Sequence, residues 1–143
     1  MRNLFYFFIL TLLALSFTAC KKDKNDLASN YDNIPGVYRI TALKAKVDNQ
    51  QVDVFNQLNE CQKSDTWDFE QGGTFLFGGV ATASCQDGDY SGTWSLNGKV
   101  FTIVSQASNK EYQLESFDGR ALVLSTDGTL NNSPATYYIT FTK

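Results

Sequence analysis

An all-β fold is what this sequence predicts: an eight-stranded up-and-down antiparallel β-barrel carrying one short helical insert. Three observations predict it. From Pro35 onward the apolar side chains recur with a period of two rather than 3.6, the signature of half-buried strands. The runs are short, and turn residues separate them. Gln71-Gly72-Gly73, Asn97-Gly98 and Asp118-Gly119 supply the positive φ that tight hairpins need. A meander of such strands closes most naturally on itself, because closure removes exposed edges. A two-sheet sandwich is the alternative arrangement of the same pattern.

The strands follow in order. Val37–Val47 sets Tyr38 and Ile40 on one face, then moves the apolar set to Leu43, Ala45 and Val47. That slip in phase predicts a bulge or bend near Ala42. Asp53–Gln62 departs from the pattern, with Val54, Phe55 and Leu58 at helical spacing. It predicts a short helix or turn lying over one barrel end. Thr66–Glu70 presents Trp67 and Phe69; Thr74–Phe77 presents Phe75 and Phe77; Tyr90–Leu96 presents Tyr90, Trp94 and Leu96. Lys99–Val104 contributes Phe101 and Ile103, and Glu111–Phe117 contributes Tyr112 and Leu114. Ala121–Ser125 adds Leu122 and Leu124, and Thr136–Thr142 adds Tyr137, Ile139 and Phe141.

The bulkier face is expected to point inward. Tyr38, Trp67, Phe69, Phe75, Phe77, Trp94 and Phe101 are then the candidate lining of the interior. An eight-stranded barrel is just wide enough to be filled by side chains or to hold one small ligand. Both outcomes fit these residues.

Ahead of the barrel lies a segment of another kind. Arg2 and the apolar block Leu4–Phe17 have the charged and greasy regions of a secretory signal. The block is shorter than the roughly 20 residues of a spanning helix. It ends in Phe17-Thr18-Ala19-Cys20, which resembles the lipobox of bacterial lipoproteins, with Phe17 where Leu is usual. The resemblance implies cleavage before Cys20 and acylation of Cys20, on both its thiol and its new amino group. Residues 1–19 are thus read as a signal peptide, 20–33 as a flexible polar tether, and 34–143 as the domain. The expected location is a Gram-negative cell envelope, at the outer membrane, held by lipid.

The chain has three cysteines. With Cys20 acylated, Cys61 and Cys85 remain for a disulfide in an oxidising compartment. If the hairpin turns at Gly72, it pairs Phe69 with Phe75 and Trp67 with Phe77. The same register brings Cys61 and Cys85 together just beyond the open end of the hairpin, where a bridge is geometrically reasonable.

Composition narrows the function. There is no histidine, so a Ser–His–Asp or Cys–His site cannot be built, and zinc loses its commonest neutral ligand. Formal net charge is −3, and cleavage before Cys20 would remove Arg2 and make it more negative. No basic patch interleaved with aromatics points to nucleic acid. Asp87 and Asp89 in Cys85–Gly92 are too few oxygen ligands for a calcium loop and read as a solvated turn. Glu111, Glu115 and Asp118 sit at strand edges and turns; their spacing singles out no carboxylate pair for glycoside hydrolysis. No catalytic residue, metal or cofactor is expected.

One further likeness covers Pro35 to Lys143. "CQKSDTWDFEQGGTFLF", then Cys85, "SGTWSLNGKVFTI", "YQLESFDGRALVLS" and "YYITFT" together resemble the lipocalin-like domain of small bacterial lipoproteins. "PGVYRI" stands in the place of a first-strand G-x-W motif, with Tyr38 where Trp is usual. The resemblance implies an eight-stranded barrel and carries over no catalytic residue. The expectation is a non-catalytic, membrane-anchored module with a small apolar or amphipathic ligand. The alternative is a protein-binding or inhibitory envelope lipoprotein that works through barrel-end loops, Gly78–Asp89 and Thr126–Ser133.

Overall fold

The computed structural model describes residues 32–79, 85, 88–106 and 108–143. Cys20, residues 1–31 and Asp87 lie outside the described residues. The strands are β1 (Gly36–Val47), β2 (Gln50–Asp53), β3 (Thr66–Phe69), β4 (Thr74–Gly78), β5 (Tyr90–Asn97), β6 (Val100–Ser105), β7 (Asn109–Phe117), β8 (Ala121–Leu130) and β9 (Ser133–Thr142). A 3-10 turn (Phe55–Gln57) and one helix, α1 (Glu60–Ser64), separate β2 from β3. From β3 to β9 each strand pairs antiparallel with the next. β1 pairs with both β3 and β9, which closes an eight-stranded barrel. β2 is a short extra ribbon on β1.

The predicted hairpin register holds: Phe69 faces Phe75 and Trp67 faces Phe77. The predicted bulge is a register shift between Ile40 and Ala42 against β9. A second shift, between Leu114 and Ser116, explains why Phe117 joins Leu114 inside at odd spacing. One expectation is corrected. Thr126–Ser133 is not a loop, because β8 and β9 stay paired out to Leu130 and Ser133. Asn131 and Asn132 both adopt positive φ, 51° and 66°, and make the two-residue turn that Asn-Gly would make elsewhere. Asp48 and Asn49 do the same between β1 and β2.

The barrel has two unlike ends. The turns at 70–73, 98–99 and 118–120 lie at one end, here called the floor. Tyr38, Phe69, Phe75, Phe101 and Phe141 are wholly or almost wholly buried there. Phe69 stacks on Phe75 at 5.5 Å and meets Phe101 edge-on at 5.2 Å, while Trp94 stacks on Phe101 at 5.4 Å. Burying each such ring stabilises the fold by about 1.5–3 kcal/mol, so the floor is the main energetic core. Trp94 is satisfied, its indole N–H donating to the Glu70 carbonyl at 2.9 Å.

Ile34 and Lys143 close the floor from below. The Tyr38 hydroxyl donates to the Ile34 carbonyl. Lys143 Nζ donates to the carbonyls of Asn33 (2.7 Å) and Pro35 (3.0 Å). It also sits 5.3 Å from the Tyr38 ring centre and 5.5 Å from that of Phe117, within cation–π range. The last residue thereby pins the entry of the first strand.

Two outcomes are expected. A Cβ at Gly92 would lie 1.9 Å from the Val104 carbonyl oxygen, so Gly92→Ala must part β5 from β6; urea unfolding should show a loss of about 3 kcal/mol. Burial holds the Tyr38 phenol well above its ordinary value, whereas in the unfolded chain it titrates near 10. Its contribution is therefore complete below about pH 10 and falls as pH rises further, because only the unfolded state releases the proton. Tyr38→Phe should lose about 1 kcal/mol at neutral pH with the Ile34 hydrogen bond, yet decline less steeply than wild type in denaturant melts above about pH 10.

Candidate functional site at the barrel mouth

The opposite end is built differently, and the cause lies in one stretch of chain. β2 and β3 flank the same edge of β1, with Lys44 opposite Asp53 and Tyr38 opposite Trp67. The chain from Asp53 to Trp67 is longer than the stretch of β1 it faces. The surplus folds outward as the 3-10 turn and α1. The wall is left after the Val54 N–H bonds the Leu43 carbonyl (2.9 Å), with Val54 itself buried.

The insert is locally determined. Asn59 caps α1 by accepting from the Gln62 N–H (2.8 Å), and the Gln62 side chain accepts from the Asn59 N–H (3.0 Å), a reciprocal capping box. Lys63 pairs with Glu60 at 2.9 Å and lies 5.6 Å from the Phe55 ring centre. Cys61 of α1 is disulfide-bonded to Cys85, with Cα atoms 5.6 Å apart. The pairing expected from cysteine count and hairpin register is therefore present, and it ties the insert to the β4–β5 connection.

Between insert and wall lies a cleft of about 390 Å³, within the ~300–1,000 Å³ of small-molecule sites. Ile40, Trp67, Phe77 and Tyr90 line it from the strands; Leu58, Gln62 and Asp65 line it from the insert. Phe77 stacks on Tyr90 at 4.5 Å, and Trp67 meets Phe77 edge-on at 5.1 Å. Trp67 also meets Phe141 at 5.4 Å, so the cleft wall is continuous with the floor. Among the described residues the buried Trp67 indole N–H has no acceptor; leaving such a donor unpaired costs about 1–3 kcal/mol. Asp65 is only 3% exposed, a buried carboxylate on a largely apolar wall.

A second depression, of about 540 Å³, opens on the other side of the mouth around Leu43, Lys110, Tyr112, Tyr137 and Ile139. Burial, and then the neighbouring Tyr90, push the Tyr112 phenol above its ordinary value, so it stays protonated.

The structure divides the aromatics that the sequence singled out. Tyr38, Phe69, Phe75, Trp94 and Phe101 pack the floor, while Trp67 and Phe77 reach the cleft. Leu58, Gln62, Asp65 and Tyr90 were not among the expected lining residues. Gln62 was legible only as the end of a short helix or turn, and Asp65 fell between that segment and the Thr66–Glu70 strand. Tyr90 enters through its pairing with Phe77, across a connection with no readable pattern. The carboxylates are dispersed: Glu115 accepts from the Ser125 hydroxyl (2.6 Å), and Asp118 holds its own turn by accepting from the Arg120 and Ala121 N–H groups. Asp89 accepts from the Gly79 N–H at 3.1 Å. Among the described residues, no group of three potential ligands converges to hold a metal ion.

A family model described as a lipocalin-like domain matches residues 34–142. Among solved structures, lobster apocrustacyanin A1 is similar at 16% identity, covering 85% of this chain and 68% of that one with a TM-score of 0.51. An uncharacterized protein from Bacteroides eggerthii is similar at 13% identity, covering 76% of this chain and 98% of that one with a TM-score of 0.48. A search of the curated proteins finds no match.

The disulfide generates a prediction. It closes a loop with a sequence separation of 24, and chain entropy assigns such a bridge roughly 3 kcal/mol. Cys61→Ser should destabilise the domain by about 2–4 kcal/mol and leave Cys85 open to thiol reagents. Denaturant melts and thiol labelling of the unfolded protein without reductant check both points; labelling of wild type at Cys61 and Cys85 would contradict the bridge.

Proposed function

The chain belongs to the lipocalin-like domain family, and from that premise we propose that it is a non-catalytic binding module, tethered to a membrane, that takes a small apolar or amphipathic molecule into the barrel mouth. The observation that carries this reading is the cleft between insert and wall, with Ile40, Trp67, Phe77 and Tyr90 behind it. The packed floor below confines any ligand to the mouth. A binding role also fits a chain without histidine, which lacks the commonest general base.

The anchor belongs to the same proposal. Phe17-Thr18-Ala19-Cys20 resembles a lipobox, and the polar run after it would let the barrel stand off from the lipid surface. Several acyl chains, each gaining about 0.8 kcal/mol per buried methylene, would hold it at the outer membrane of a Gram-negative envelope.

Two measurements test the two halves. Native mass spectrometry of protein taken from its own membranes should show a stoichiometric small amphiphile. An empty barrel with a stoichiometric protein partner would instead favour recognition through the barrel-end segments. Cys20→Ser should move the protein from the membrane to the soluble fraction and leave the melting curve of the domain unchanged. Membrane retention of that variant would contradict the lipid anchor.

A further inference from the structure

We infer that the depression around Tyr112 and Tyr137 receives the headgroup of the ligand, and that this headgroup is uncharged and rich in hydroxyls, as in an alkyl glycoside. This rests on the mouth-binding reading and names the chemistry of the headgroup.

Two tyrosines do different work there. The Tyr137 hydroxyl donates to the Thr129 carbonyl at 2.7 Å. A Cβ at Gly128 would sit 3.0 Å from the Tyr137 ring, so that glycine lets the ring lie close against the β8 backbone. Held at its hydroxyl and along its edge, the ring is a preformed apolar platform in the wall of the depression. Tyr112 lines the same depression yet is only 9% exposed, and among the described residues none forms a hydrogen bond with its hydroxyl. Burial and the neighbouring Tyr90 keep this phenol protonated, so it is a standing donor. A buried donor without an acceptor costs free energy, and a ligand oxygen facing it would recover that cost.

The charged groups around the two tyrosines are of both signs. Lys110 stands with Glu111 and Asp127, and Asn109 and Thr126 add neutral donors and acceptors. Asp127 already accepts from the Thr136 hydroxyl at 3.0 Å. An anionic headgroup here would meet two carboxylates, and a cationic one would meet the ammonium of Lys110. A sugar ring meets no like charge. Each of its hydroxyls both donates and accepts, so Lys110 and Tyr112 can donate to it while Glu111 accepts from it. Its C–H faces suit the apolar face of an aromatic platform. Leu43 and Ile139 offer aliphatic surface to the alkyl chain where it leaves the sugar. At about 540 Å³ the depression has the size of a small-molecule site.

The experiment titrates the purified protein by calorimetry with three amphiphiles of one chain length, octyl glucoside, octanoate and octyltrimethylammonium, each below its micelle threshold. Octyl glucoside should bind at least about tenfold tighter than either ion. Tyr112→Phe should lower its affinity about fivefold and leave both ions unmoved. The thermal midpoint of that variant should not fall, because the hydroxyl it removes has no partner in the free protein. Tyr137→Leu, which removes the platform, should lower glucoside affinity about tenfold. Glucoside-induced shifts of wild-type amide signals should centre on Tyr112, Thr126 and Tyr137, a readout that decides the matter even if a variant does not fold. Either ion binding as tightly as the glucoside, or shifts centred on Trp67 and Phe77 alone, would overturn the inference while leaving mouth binding intact. A glucoside affinity unmoved in Tyr112→Phe would do the same. Failure of all three ligands to bind would overturn the mouth-binding reading itself.

Discussion

Everything in this molecule follows from the width of its barrel. Eight strands enclose a space in which side chains from opposite walls just meet. Side-chain size at each level therefore decides whether that level is solid or open. Along β1 the inward residues run Tyr38, Ile40, Leu43, Ala45, and along β9 from the same end they run Phe141, Ile139, Tyr137, Ala135. Along β8 the series is Leu122, Leu124, Thr126, Gly128. The bulk is spent at the floor, and the walls thin toward the mouth. The floor level is packed by large rings, and the cleft lies above it beside the insert.

The insert modifies that plan at one place. By leaving the wall between Asp53 and Trp67, it exposes the inner edge of β1 and replaces ladder with side chains from a short helix. A five-residue helix is far below the length at which helices hold themselves. It persists here through its capping box, the packing of Val54, and the bridge to Cys85. The disulfide therefore does more than restrict the unfolded chain. It fixes the position of Leu58, Gln62 and Asp65 relative to Phe77 and Tyr90, and so sets the shape of the cleft.

Much of the fold was legible because local and global demands agree. Period two, the Asn97-Gly98 and Asp118-Gly119 turns and the phase slip after Ile40 each specify a local geometry that the closed barrel also needs. The register of the β3–β4 hairpin could be read from the aromatics alone. The reading failed where a residue does a job usually given to another. Asn131-Asn132 is a left-handed turn without glycine, so the long β8–β9 hairpin looked like a loop. The β7 bulge was hidden in the odd interval from Leu114 to Phe117. The candidate site was the least legible part, because its residues come from the wall and from an excursion whose trajectory no periodicity encodes. Asp65 looks like an ordinary polar residue before a strand; only the folded chain shows it buried beside Trp67.

The central claim is that the barrel is solid below and open above. Paramagnetic broadening of backbone amide signals by an alkyl chain bearing a nitroxide tests it on the intact protein. Saturable broadening at Ile40, Phe77 and Tyr90, with Phe101, Phe117 and Leu122 untouched, is the predicted result. Broadening that reaches Phe101 and Leu122 would mean a hollow barrel, and uniform weak broadening with no saturation would mean no mouth site; either would contradict the account.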